Sequence, residues 1–329
     1  MKTRIINRSG SSMSEIGFGC AGAGNLYRPV SYEDFSAAAC KASELGIEYF
    51  DTAPHYGGGL SERRLGVALG DIPHQQVFVS TKVGRLLHPD HFVEQKDAEG
   101  FVSASPFDRE YNYTYDGVMR SFEDSLQRLG VSHVDMLLMH DIGELTHKEQ
   151  HAMYFQQAIN GGFKAMMELR EQGLVSNIGL GVNEWQICDQ AMNYAQFDCF
   201  MVANCFTLLN NNITHTFTDK CSDNNVSLIA AAPFNSGILA KGSKNLGHYL
   251  YGEAPKDIVD KVIAIESICK QFNVSLQAAA IQYALRYDCV KSVLIGMTNE
   301  NRVKQNIVWY EEPIPEAFWQ ALAPVIYSS

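Results

Sequence analysis

Positive charge is scarce in this sequence. Its 329 residues carry 26 lysines and arginines against 37 aspartates and glutamates, a net charge of -11. Nucleic acids and anionic membrane surfaces both call for a basic face, so neither is expected as a partner. No apolar run approaches the roughly 18 residues that span a bilayer. The opening MKTRIINRSGSSMS also lacks the apolar segment of a secretory signal, and the expected location is cytoplasmic. The eight cysteines (Cys20, Cys40, Cys188, Cys199, Cys205, Cys221, Cys269, Cys289) include no C-x-x-C and sit mostly in apolar surroundings, which predicts reduced thiols. No Pro/Gly/Ser-rich linker, charge block or low-complexity tract divides the chain, so one domain over residues 1–329 is expected. The remaining class is a soluble protein acting on a small molecule, with a homo-oligomer left open.

Short apolar runs alternate with helical patterns from end to end. EIGFGC, EYFDTA, VFVSTKV, VDMLLMH, SNIGLGV, CFMVAN, SLIAAAP and KSVLIGM are nearly continuous in apolar residues, as strands buried on both faces should be. Between them, SYEDFSAAACKASELG opens on a Ser31 cap with acids in its first turn and stops at Gly46. YTYDGVMRSFEDSLQRLG carries Val118, Phe122, Leu126 and Leu129 at helical spacing and stops at Gly130, and FKAMMELREQG stops at Gly173. Eight alternations in a chain of this length predict a (β/α)8 TIM barrel, ahead of a doubly wound sheet. Two connections break the rhythm: the stretch 84–113 after the third strand, and NSGILAKGSKNLGHYLYGEAPKD after the seventh. Connections this long usually act as lids or binding loops, and both follow strand C-terminal ends, where barrel active sites are assembled.

Several motif-like spacings carry no chemistry on this reading. Gly17, Gly19 and Gly22 fit G-x-G-x-x-G, but no buried strand leads directly into them and no helix starts within them, so a Rossmann site is not expected. His147 and His151 in HKEQH have a helical metal pair's spacing without the glutamate of H-E-x-x-H, and read as part of a solvated polar segment. No metal is expected. AKGSK lacks the leading glycine and spacing of a P-loop.

Strand ends are more informative. Asp51, Lys82 and His140 fall at the ends of three successive predicted strands, with Tyr56 in the loop FDTAPHYGGGLSERRLG just past Asp51. A barrel would deliver all of them to one rim. Each alone has a bland role, as a rim ion pair, a core histidine or an amphipathic plug; together they suggest a site. A phenol near pKa 10 is a poor base, yet an ammonium about 4 Å away favours its phenolate by on the order of 4 kcal/mol at an effective dielectric of 20, less what desolvation takes back. Asp51 would fix Lys82, and His140 would hydrogen-bond and orient the substrate oxygen. Proton transfer to or from an alcohol or carbonyl oxygen needs a hydride to travel with it, which implies a nicotinamide cofactor. Gly57, Gly58 and Gly59 should let the chain turn tightly before Ser61 caps the next helix.

In this order and spacing, IGFGCAG, GIEYFDTAPHYGGGLSERRLG, VFVSTKVGR, SFEDSLQRLGVSHVDMLLMHD, IGLGV and LIGMTNENRVKQNI resemble the aldo-keto reductases over nearly the whole chain. The resemblance implies a catalytic tetrad of Asp51, Tyr56, Lys82 and His140, the residues reached from the strand ends. It also implies that Asn183 binds the cofactor's carboxamide, although the usual serine neighbour is Val182 and the usual glutamine is Asn204. Asn235, Ser236, Gly237 and Leu239 fall in the loop that covers the pyrophosphate. At the adenosine end, Gly296 and Met297 replace the Lys-Ser pair that binds a 2′-phosphate, while Arg302 and Asn306 remain. A lost charge-assisted contact is worth roughly 1.5 to 3 kcal/mol, so NAD is expected over NADP, with Arg302 keeping NADP as the second cofactor. TKVGRLL and YDGVMRSFEDSLQRLG resemble the branch that dehydrogenates L-fucose-like aldoses and pyridoxal. The expected activity is therefore oxidation of an aldose at C1 to the lactone, with pyridoxal oxidation at C4 and a nucleotide-sensing module as alternatives; the intact tetrad counts against the last. His55 reads as a substrate contact or a turn residue.

Overall fold

Every expected barrel strand forms in the computed structural model, which describes residues 1–72, 77–92, 99–211, 213, 215–245, 249 and 252–327. In chain order the strands are β1 (Thr3–Ile5), β2 (Ser12–Ser14), β3 (Ile16–Gly19), β4 (Tyr49–Asp51), β5 (Phe78–Val83), β6 (Arg85–Pro89), β7 (Phe107–Tyr111), β8 (Val134–His140), β9 (Val175–Val182), β10 (Cys199–Ala203), β11 (Ser227–Ala231) and β12 (Val290–Gly296). Eight of them close in the order β10-β11-β12-β3-β4-β5-β8-β9, with β9 pairing back onto β10. All eight pairings are parallel. Closure removes the open edges that a doubly wound sheet would keep, and fixes the fold as a (β/α)8 barrel.

Strand pleat explains why the runs read as continuously apolar. Along β8, Met136 and Leu138 point into the barrel and Leu137 and Met139 point out to the helices, all fully buried. The inner set joins Tyr49, Phe78, Cys199, Met201, Ile229 and Leu294; the outer set joins Phe18, Phe50, Val79, Leu180, Phe200 and Val293 to the helical shell. Period-2 alternation thus feeds two apolar environments rather than one. The β1–β2 hairpin was not anticipated. It contributes Ile6 and Met13 to the inner cluster.

Helix ends follow the sequence closely. Ser31 caps Tyr32–Glu44 by accepting from the Asp34 N–H at 3.0 Å, Thr114 caps Tyr115–Leu129 through the Gly117 N–H at 3.1 Å, and Gly130 ends that helix in the left-handed region. One expected cap is corrected. The helix Leu60–Asp71 starts from Gly59, and Ser61 lies inside it, fully buried, its hydroxyl donating to Cys20 O at 2.7 Å and meeting Thr52 Oγ1 at 2.8 Å. The cause is the run Gly57-Gly58-Gly59, whose φ values of +65°, +61° and +80° complete the turn before Ser61 is reached.

The expected lid over 84–113 is likewise more ordered than a loop: β6 and β7 form an antiparallel hairpin from Arg85↔Tyr111 to Pro89↔Phe107. The Gly17-x-Gly19-x-x-Gly22 spacing serves packing, since a Cβ on Gly17 would lie 2.5 Å from the Tyr49 ring and one on Gly22 2.5 Å from Thr298 Cγ2.

The tightest approach in the barrel wall is at Gly179, where a Cβ would sit 1.8 Å from Cys199 O. Backbone cannot yield there as a side-chain tip can, so Gly179→Ala must push β9 from β10 and should cost about 3 kcal/mol. A lowered urea midpoint at unchanged slope is the expected result; an undiminished midpoint would show that the two strands do not meet this closely.

Candidate active site

Adjacent parallel strands place Asp51 and Lys82 together. Asp51 ends β4 and pairs in register with Ser80, two residues before Lys82 on β5. Lys82 Nζ donates to Asp51 Oδ1 and Oδ2 at 2.8 and 2.7 Å, to Thr52 O at 2.9 Å and to Tyr56 Oη at 3.2 Å. Both charged residues are only 1% exposed. Ser80 Oγ adds a 2.6 Å hydrogen bond to Asp51 Oδ1. Burial raises the Asp51 carboxyl above its ordinary range, and Lys82 and then Ser80 pull it part of the way back. Room for the lysine stem comes from β9, where a Cβ on Gly181 would press within 3.3 Å of Lys82 Cε.

Tyr56 is delivered by the glycine turn. Gly57 packs so closely on Gly24 that a Cβ would lie 2.5 Å from Gly24 O, which pins the loop to the segment after β3. The Tyr56 ring stands 5.9 Å from the ring of His140, the last residue of β8, at 85°. His55 lies 5.8 Å from His140 and 5.1 Å from Phe101, and Phe101 also stacks 5.9 Å from Tyr56. Phe101 belongs to the long connection, so that segment walls the site.

Both histidines are buried. Desolvation first, then Arg85, holds each well below the ordinary histidine range; for His140 Lys82 and His55 add to this, and for His55 Arg109 and Lys82 do. At neutral pH they are uncharged imidazoles that donate or accept hydrogen bonds without supplying a charge. The cluster thus joins a phenol hydrogen-bonded to a fixed ammonium with a neutral imidazole beside it, which can move a proton to or from a bound oxygen.

The expected cofactor residues occupy the other half of the rim. Asn183 follows β9, Asn204 follows β10, Asn235, Ser236 and Gly237 follow β11, and Gly296 ends β12. Asn204 Nδ2 donates to Asn183 Oδ1 and Asn183 Nδ2 to Asp141 Oδ1, both at 3.2 Å. Asn235 is fully buried, yet neither atom of its amide finds a partner among the described residues. An amide buried in that way is costly. With Asn235, Ser236 and Gly237 at φ values of +46°, +61° and +111°, the segment has the character of a ligand cradle. These features fit a nicotinamide dinucleotide. Arg302 and Gly296 are exposed nearby in sequence to the buried Asn306, whereas Leu239 and Met297 lie in the outer hydrophobic core.

Several residues of the site escaped the sequence reading. Asp141, in the left-handed region at φ +48°, accepts from Arg85 NH2 at 2.9 Å and lies 3.4 Å from His140 Nε2. Arg85, two residues past the end of β5, is 4% exposed. The only available signal was a charged residue directly after a buried strand. His147 overturns the expected solvated segment. It is 6% exposed, and its Nε2 meets the Tyr113 hydroxyl at 2.9 Å, while that hydroxyl donates to His140 O at 2.8 Å. His151 turns away to Ile142 O. Aromatic packing against Tyr111, Tyr113 and Tyr154 draws His147 inward, which single-sequence spacing does not reveal.

Comparison with known proteins agrees with this geometry. Residues 15–326 match the aldo/keto reductase family. The chain is 39% identical over 328 residues to a pyridoxal 4-dehydrogenase of Microbacterium luteolum, covering 97% of this chain and 96% of the relative. It is 35% identical to a D-threo-aldose 1-dehydrogenase of a Pseudomonas species, covering 96% and 94%. Among solved structures, an aldo-keto reductase of Bacillus halodurans in its holo form superposes with a TM-score of 0.77 at 22% identity, covering 99% of this chain and 96% of that one.

His147 yields a test of the buried network. Desolvation, then Arg85, lowers its pKa to about 4, against roughly 6.5 for a free histidine. Between those values the unfolded chain binds the proton and the folded one does not, so this group's contribution to stability is lost as pH falls from about 6.5 to about 4. His147→Gln keeps a donor for Tyr113 and removes the titration. Its melting temperature should therefore fall less than the wild type's on going from pH 7 to pH 4; parallel losses would place His147 in solvent.

Proposed function

The chain belongs to the aldo/keto reductase family, and on that premise we propose an NAD(P)-dependent dehydrogenase that oxidises the hemiacetal hydroxyl of a small cyclic substrate, an aldose of the L-fucose type at C1, to its lactone. The observation that carries the reading is Lys82 Nζ, held by both oxygens of Asp51 and donating to Tyr56 Oη at 3.2 Å. Tyr56, as phenolate beside the ammonium, takes the hydroxyl proton as the carbon loses its hydride; in reduction it returns the proton. Lys82 stabilises the phenolate charge, Asp51 keeps Lys82 in place, and neutral His140 donates a hydrogen bond to the reacting oxygen. When bound, the nicotinamide cofactor supplies the hydride acceptor that no side chain provides. Asn183 and Asn204 would hold its carboxamide, Asn235 to Gly237 its pyrophosphate, and Asn306 and Arg302 its adenosine end.

Pyridoxal is the second reading, favoured by the 39% identical relative. An aldose and pyridoxal both close into cyclic hemiacetals, so loss of one proton and one hydride gives a lactone from either. One barrel domain carries the whole reaction on this reading, and the eight free thiols support a reducing, cytoplasmic setting. Among the described residues no helix is long and apolar enough to cross a membrane.

Two measurements test the proposal. Tyr56→Phe should lower kcat for L-fucose or pyridoxal by about 10²- to 10⁴-fold while cofactor affinity stays within about threefold; wild-type rates in the variant would remove Tyr56 from the reaction. NAD should give the higher kcat/KM, because Gly296 offers no side chain and Met297 is 1% exposed in the core, so neither supplies the contact that a 2′-phosphate needs. A clear advantage for NADP would refute that preference.

A further inference from the structure

The hairpin over the site holds two arginines whose N–H groups are incompletely used. Arg85 pairs with Tyr111 and Leu87 with Arg109 across β6 and β7, and cross-strand partners and alternate residues share a face. Arg85, Leu87, Arg109 and Tyr111 therefore line one side of the hairpin. That side meets the reaction site: the Asp141 oxygen that accepts from Arg85 NH2 lies 3.4 Å from His140 Nε2, and Arg109 Nε donates to His55 O at 3.2 Å. Arg85 is 4% exposed, and its Nε and NH1 are buried without an acceptor among the described residues; the same holds for Arg109 NH2, and His55 Nδ1 is buried there without a partner. Guanidinium N–H groups are not left so without cost.

Charge narrows the ligand class. Asp141 already pairs with Arg85 at 2.9 Å, and among the acids Glu99 and then Asp108 act most strongly on Arg109. A phosphate or carboxylate would add negative charge beside these three acids, whereas a hydroxyl oxygen needs only a donor. We propose that Arg85 and Arg109 form a recognition wall for neutral hydroxyl oxygens flanking the reacting carbon, so that the site selects polyhydroxylated substrates. The inference rests on the oxidoreductase reading and specifies which substrates that reaction accepts.

Reduction of glyceraldehyde and of propanal, three-carbon aldehydes that differ by two hydroxyls, tests it in the full-length protein with bound cofactor. Wild type should favour glyceraldehyde in kcat/KM. In Arg109→Met and in Arg85→Lys, which keeps a cation for Asp141, the glyceraldehyde-to-propanal ratio should fall about tenfold to hundredfold, carried by the KM for glyceraldehyde. Arg109 is the more exposed of the two, so its variant keeps the test available should Arg85→Lys not fold. An unchanged ratio, or equal losses on both aldehydes, would reduce the arginines to a structural role. A wild-type preference for glyceraldehyde 3-phosphate that the variants lose would overturn the neutral class. Wild type that reduces neither aldehyde overturns the oxidoreductase reading itself, and this inference with it.

Discussion

A buried ion pair governs this molecule's site. Removing an ammonium and a carboxylate from water costs several kcal/mol per ion, repaid only when geometry is good and the remaining protons and lone pairs are used. Lys82 and Asp51 meet that condition through two direct contacts, the Thr52 carbonyl, the Ser80 hydroxyl and Tyr56 Oη. Tyr56 is thus part of what makes the pair tolerable, and the pair is what gives Tyr56 a chemistry. The surrounding sequence accommodates it: glycine at 181 leaves space for the lysine stem, and the glycine turn after Tyr56 returns the phenol over the rim.

The rim divides between two tasks. Strands β4, β5 and β8 carry the residues to which we assign proton transfer, and β9 to β12 lead into the amides and glycines to which we assign the dinucleotide. Asp141 joins the halves, touching Arg85 on one side and Asn183 on the other, with His140 adjacent. Its left-handed backbone is the kind of local strain that persists where surrounding contacts fix it. Behind it, the Tyr113 hydroxyl ties His140's carbonyl to the buried His147, so the strand end that presents His140 is braced from the outside.

The connection between the third and fourth barrel strands adds the outer wall. Phe101 stacks on Tyr56 and meets His55 edge-on, and Arg85 and Arg109 come from one face of the same hairpin. On the proposed reading, chemistry set by strand ends is combined with recognition set by an insertion, a division that would let one tetrad serve different substrates.

Composition and periodicity were enough to predict the eight strands, the barrel, and Asp51, Lys82 and His140 at three successive strand ends, because strands buried on two faces leave a long apolar signal and a charge at its end stands out. Tyr56 was legible from the turn that follows it. Other features were decided only when the chain closed. Ser61 went from cap to buried donor because three positive-φ glycines finished the turn first, and His147 left solvent because Tyr111 and Tyr113, distant in sequence, packed around it with Tyr154. Register in the β6–β7 hairpin set Arg85 and Arg109 on one face, and the Arg85–Asp141 contact tied that face to the end of β8. Such contacts are long-range pairings between residues that are each unremarkable in their own local window, and no single-sequence pattern encodes which strand end will face which.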